Sequence, residues 1–258
     1  MSEDVESDRD YYSDDNDGPR YRAATEIDMW ELPEALRKLA LFSGDPYLNM
    51  QATNLGMIDR WLIDIEAEVL KRLIAEERTP MNDAMFLSAQ TQMWIFASYE
   101  IMRTWRQRAK DVLKLINNSG VQLKIAALEE ELGYVHTGRQ MRASQLREVQ
   151  EDPAMASKIE ADLRRTHIVF VQLEALRVSM AKHEVRGKPN MIAMAPGYGR
   201  IDRWTGSLQY ELGNGKYILD YISRRDIADG IRAIDHEGDP QSIEELGQFD
   251  TFMNGKFE

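Results

Sequence analysis

The sequence predicts a mainly α fold: an antiparallel helical bundle carrying a small C-terminal β-hairpin plus helix. Three observations point there. Apolar residues recur every three to four positions over long stretches between residues 53 and 186. Hydrophobic residues make up 43% of a 258-residue chain, enough for a large core. Near the C-terminus, Asn214-Gly215 separates two strand-like runs, a strong signal for a hairpin.

The elements follow in order. Residues 1–22 are rich in Asp, Glu and Ser, and they cannot bury enough apolar area to offset the entropy of ordering, so a disordered acidic tail is expected. A short helix is expected from Pro33 to Phe42, stopped by Ser43-Gly44-Asp45-Pro46. A second runs from Thr53 to Glu77 with Leu55, Ile58, Leu62, Ile65, Val69 and Leu73 at helical spacing. The third, Asn82 to Ile116, has Trp94, Ile101, Trp105 and Val112 on one side, with Met93, Ala97 and Met102 widening the stripe. Asn117-Asn118-Ser119-Gly120 ends it.

Residues 121–150 read as helix broken around Gly133 and Gly138. Asp152-Pro153 has the form of an N-cap followed by proline at the first helical position. The helix it opens is expected to reach His183–Arg186, before Gly187 and Pro189. Beyond it, residues 207–212 and 216–222 pair as the hairpin, and Ser223 to Asp226 resembles a capping box for a last short helix. Residues 236–258 are expected to be poorly structured. The domain organisation is therefore an acidic tail (1–22), a helical bundle (23–188), a hairpin-and-helix appendage (189–235) and a second acidic tail (236–258).

Composition narrows the function. The absence of cysteine excludes a disulfide framework and fits a reducing compartment. The acidic N-terminus has no apolar core of a signal peptide. The longest uncharged run, Ala84 to Tyr99, is too short for a membrane span and is expected to be a buried helix. A cytoplasmic protein without a membrane partner is expected. The net charge is −12, with −7 in residues 1–19, −7 in residues 226–258 and +4 in residues 182–225. Such a balance disfavours tight nonspecific binding of nucleic acid, while the basic segment can still meet a phosphate at close range.

No metal, cofactor or phosphate-loop signature is present. Glu-x-x-His pairs are absent, Asp235-His236-Glu237 reads as a surface loop, and Asp64 with Glu68 reads as a solvated face. Gly197-Tyr198-Gly199-Arg200 reads as a turn leading to the hairpin. No cofactor is expected. Of four histidines, His183 stands out because the C-terminal turn of a helix favours positive charge, so it can titrate near neutrality. Arg177 and His183 are also good residues for a helix end on structural grounds alone.

The run Arg177-Val-Ser-Met-Ala-Lys-His183 resembles the Arg, four to six residues, His pattern of HEPN domains, all-helical domains many of which are metal-independent ribonucleases of toxin–antitoxin and other defence systems. Val178 stands where that family often has a polar residue. The resemblance covers this run and a generic bundle over residues 50–186. It implies Arg177 and His183 as catalytic residues, with Lys182, Arg186, Lys188 and Arg200 as substrate-binding candidates. Six helical positions turn through about 600°, leaving the pair about 120° apart. The resemblance implies a homodimer that brings two such runs together, with RNA as substrate. The competing reading is a non-enzymatic helical interaction module that meets protein partners through the acidic tails or the hairpin edge, with Arg177 as a surface ion-pair partner.

Overall fold

A computed structural model describes residues 21–181, 199–213 and 218–254. Within them the chain is mainly α, with nine α-helices and one three-stranded antiparallel sheet. Helix α1 (Glu31–Arg37) is followed by α2 (Pro46–Glu76) and α3 (Met81–Asn117). Asp45 and Pro46 start α2 rather than stopping α1. Asp45 Oδ1 accepts the backbone N–H groups of Tyr47 and Leu48 at 2.8 and 3.0 Å, and Pro46 occupies the first turn, where no amide donor is needed. The stretch that read as a stop thus ends in an N-cap, and α2 starts seven residues earlier than the sequence expectation.

α4 (Val121–Glu129) and α5 (Thr137–Glu151) realise the broken stretch, with Gly133 at φ +74° in the connection. The long final helix is not continuous from Asp152. α6 (Met155–Arg165) and α7 (His167–Ala181) meet at a break at Thr166. There the Leu163 carbonyl accepts Arg106 Nη1 at 2.9 Å, and Thr166 Oγ1 donates back to the Asp162 carbonyl at 2.8 Å. Side chains inserted at the helix ladder are an ordinary cause of such a break. Asp152 ends α5 in an extended conformation, as a residue before proline prefers, and its carboxylate accepts the Ala154 N–H.

The C-terminal part holds β1 (Arg200–Ile201), β2 (Leu208–Gly213), β3 (Ile218–Ser223) and α8 (Arg224–Arg232). The expected hairpin is present, with Tyr210 opposite Ile222, and β1 extends it, with Ile201 opposite Leu208. Ser223 and Asp226 form the capping box of α8. Leu208, Tyr210, Leu212, Ile222, Ile227 and Ile231 join the same buried cluster as Trp94, Trp105 and Leu173, so hairpin and bundle share one core. α9 (Ile243–Met253) corrects the expectation of a poorly structured end. Ser242 and Glu245 form its capping box, a Ser-x-x-Glu signature visible in the sequence. Tyr21 and Arg22, assigned to the acidic tail, are anchored: the Tyr21 hydroxyl donates to Asp226 at 2.7 Å and Arg22 pairs with Glu31. The rest of that tail, residues 1–20, lies outside the described residues. No helix among the described residues is long and apolar enough to cross a membrane.

Candidate functional site

α7 lies antiparallel along α3, so positions 170, 174, 177 and 180 of the first face positions 106, 99 and 92 of the second. Four side chains link in sequence along this seam. The Arg106 guanidinium sits 4.7 Å from the Phe170 ring centre, Phe170 stacks on Tyr99 at 5.8 Å and 16°, and the Arg177 guanidinium sits 5.0 Å from the Tyr99 ring centre. At the far end Gln92 Nε2 reaches the Met180 carbonyl at 3.5 Å. The Tyr99 hydroxyl donates to Glu174 Oε1 at 3.0 Å. Burial, then the bond to Glu174 and its charge, push the Tyr99 phenol up from its ordinary range. Tyr99 therefore stays a neutral donor, and its ring fixes the Arg177 fork by a cation–π contact of about 0.5–2 kcal/mol.

The two arginines on the seam differ. Arg106 is buried, bonded to Leu163 and Thr166, and burial lowers its guanidinium to about 10. Arg177 is half-buried, and its N–H groups meet no acceptor among the described residues. Among the described residues it has no ion-pair partner, whereas the interaction-module reading expects one. Among the described arginines only Arg177, Arg200 and Arg203 lack an acceptor. Arg200 is exposed on β1, 5.7 Å from the Tyr221 ring centre. α7 and β1 each contact β2. His183, Lys182, Arg186 and Lys188 lie outside the described residues.

His136 and His167 have local partners. His136 caps α5 by accepting the Arg139 N–H, and His167 Nε2 lies 2.7 Å from Asp250 Oδ1, tying α7 to α9. His236 is desolvated, which lowers its pKa. Glu100 faces outward and pairs with Arg103, and Asp64 and Glu68 pair with Arg60 and Lys71 on the surface. No group of three or more His, Asp or Glu among the described residues is placed to hold a metal ion.

Sequence reasoning missed the largest charged cluster. Arg224, fully buried, donates Nε and Nη2 to both oxygens of buried Glu66 at 2.9 and 2.6 Å, and Nη1 to Asp59. Arg232 pairs with Asp59 and Asp229, and Arg225 pairs with Asp229. The Arg224 guanidinium also lies 5.3 Å from the Trp94 ring centre. Burial pushes the Glu66 carboxyl up, and the Arg224 fork opposes it. A signal existed: Asp59 and Glu66 fall among Leu55, Leu62 and Val69 at the spacing of the apolar stripe. Three carboxylates face three guanidiniums, so the cluster binds α8 to α2 and offers no open coordination. It also withdraws Arg224 and Arg225 from the basic segment counted as a phosphate-facing surface.

Comparison with family models, with curated proteins and with solved structures gives no match for the chain.

Proposed function

We propose that the chain is a HEPN-like, metal-independent endoribonuclease that acts as a homodimer. The observation that carries this reading is Arg177: a half-exposed guanidinium, held by Tyr99, with its N–H donors uncommitted among the described residues. A planar fork in that state is suited to a phosphoryl group, which it grips through two parallel hydrogen bonds. In the proposed reaction His183 removes the proton from a ribose 2′-hydroxyl. The 2′-oxygen attacks the adjacent phosphorus, the 5′-oxygen leaves and takes a proton from water to become a hydroxyl, and a 2′,3′-cyclic phosphate remains. Arg177 stabilises charge on the phosphoryl oxygens. Arg200 and the basic residues Lys182, Arg186 and Lys188 hold flanking phosphates, and a second copy supplies the partner run.

The test is cleavage of mixed single-stranded RNA in EDTA by wild type, Arg177→Ala and His183→Ala. Cleavage lost in both variants, with cyclic phosphate ends from wild type, supports the reading. A folded wild type that leaves RNA intact, or three proteins that cut equally, sinks it. A second reading, a non-enzymatic interaction module, is favoured by a different observation: the outer side of α2 and α3 carries Trp61, Phe86 and Met93 in the open.

A further inference from the structure

The uncharged run Ala84 to Tyr99 has the composition of a helix buried all round. The fold covers only part of it. Leu87, Trp94 and Ile95 are buried, whereas Phe86 is 46% and Met93 65% exposed. Met93 and Ala97, expected to widen the buried stripe, instead point outward. Alongside, α2 exposes Ile58 at 44% and Trp61 at 43%, and the Trp61 ring meets Phe86 edge-on at 5.8 Å. Between the helices runs a groove of about 360 Å³, floored by Leu55 and Trp94 and flanked by Ile58, Met93 and Ala97. Met57 and Met85 extend the same apolar side.

We infer that this α2–α3 face is where a second copy of the chain docks. Three arguments single out that occupant. The first is area. Six large side chains, each about half exposed and each offering roughly 200 Å² when free, leave roughly 600 Å² of apolar surface. With Asn54, Gln90 and Ala97 between them, the face approaches the ~800 Å² per partner that a stable interface needs. It stands at the upper end of the largest patch that a monomer ordinarily leaves open, about 300–600 Å².

The second argument is charge. Between Ala84 and Tyr99 the α3 side carries none, and Glu100 at the rim is already paired with Arg103. A charged partner finds no counter-charge here, whereas a copy of the same face leaves no charge unpaired. The third is symmetry. α2 and α3 are antiparallel, so a two-fold axis across the face sets four helices side by side, with each protruding Met93 entering the groove of the other copy. Methionine fills such a groove without a fixed shape requirement. The inference stands on this face alone and does not rest on the ribonuclease reading, although both require a dimer.

Light scattering on the full-length chain at micromolar concentration tests it. The expected mass is twice 29.8 kDa. Met93→Glu and Ile58→Glu, each placed on an exposed position of the single copy, are expected to weaken dimerisation by roughly 100-fold or more while helical circular dichroism stays unchanged. Leu123→Glu, an exposed apolar residue elsewhere, is expected to leave the dimer intact. Because both copies carry −12, the dimer is expected to tighten as salt rises. A monomeric wild type overturns the inference, and so does a dimer that survives both α2–α3 substitutions. A monomeric wild type would also remove the two-copy site of the ribonuclease reading, whereas a dimer that survives both substitutions overturns this inference alone, and loss of RNA cleavage with an intact dimer touches only the ribonuclease reading.

Discussion

Arg224→Met is the sharpest test of how this fold is held together. The guanidinium occupies a fully buried position and supplies both hydrogen bonds to Glu66 and one to Asp59. Removing it leaves the two carboxylates in different states. Asp59 keeps Arg232, but Glu66 is left buried with no other ion-pair partner among the described residues. Truncating one side of a buried pair costs about 3–5 kcal/mol, because the remaining charge is desolvated and uncompensated. Against a total stability of about 5–15 kcal/mol for a domain, that loss is visible in a urea titration as a lower midpoint. Removing Glu66 as well, in the Arg224→Met/Glu66→Met variant, is expected to recover at least about 2 kcal/mol, since no isolated charge is left.

The pH profile gives an independent sign. In Arg224→Met burial raises the folded-state pKa of Glu66 above its unfolded value of about 4.3, with the opposing arginine gone. The folded state then holds a proton that the unfolded state releases. Stability is greatest below the unfolded pKa and falls as pH rises through the folded one. The variant should therefore lose stability toward neutrality relative to wild type. A single variant within about 1 kcal/mol of wild type at pH 7, or one whose deficit is independent of pH, would refute the argument that this pair is a buried lock.

Two further substitutions probe the joint between sheet and bundle. Gly206 has φ +78°, and a Cβ there would overlap the Glu66 carbonyl, so Gly206→Ala is expected to cost about 2 kcal/mol or more by urea unfolding; a neutral result would mean the sheet does not press on α2. Ser223→Ala removes the side-chain acceptor for the Asp226 N–H and is expected to cost about 1 kcal/mol, with faster amide exchange in the first turn of α8; unchanged exchange would contradict the cap.

Much of the fold was legible in the chain. Helical periodicity gave the existence of the long helices, and Asn214-Gly215 gave the hairpin. Boundaries were read less well where one local signal serves two roles. Asp45-Pro46 punctuates one helix and opens the next, and only the Asp45 bonds to Tyr47 and Leu48 decide between them. The break at Thr166 was not legible, because its cause is Arg106, sixty residues away in sequence. At the candidate site, the sequence singled out Arg177 but said nothing of Tyr99, which positions it from another helix.

The sequence by itself determined the class of fold, because amphipathic periodicity and turn residues act over a few neighbours and need no partner. It also singled out Arg177 and His183, six positions apart, as candidates, and it set a strongly acidic balance. Only the tertiary structure decided which charges are spent and which remain free. Arg224 and Arg177 are alike in the sequence. One is consumed by Glu66 and Asp59 and the other rests on an aromatic ring with its donors uncommitted among the described residues, because burial and pairing are set by what distant segments bring to the same place. The same holds for α3, whose uncharged run is buried along one side and left open along the other.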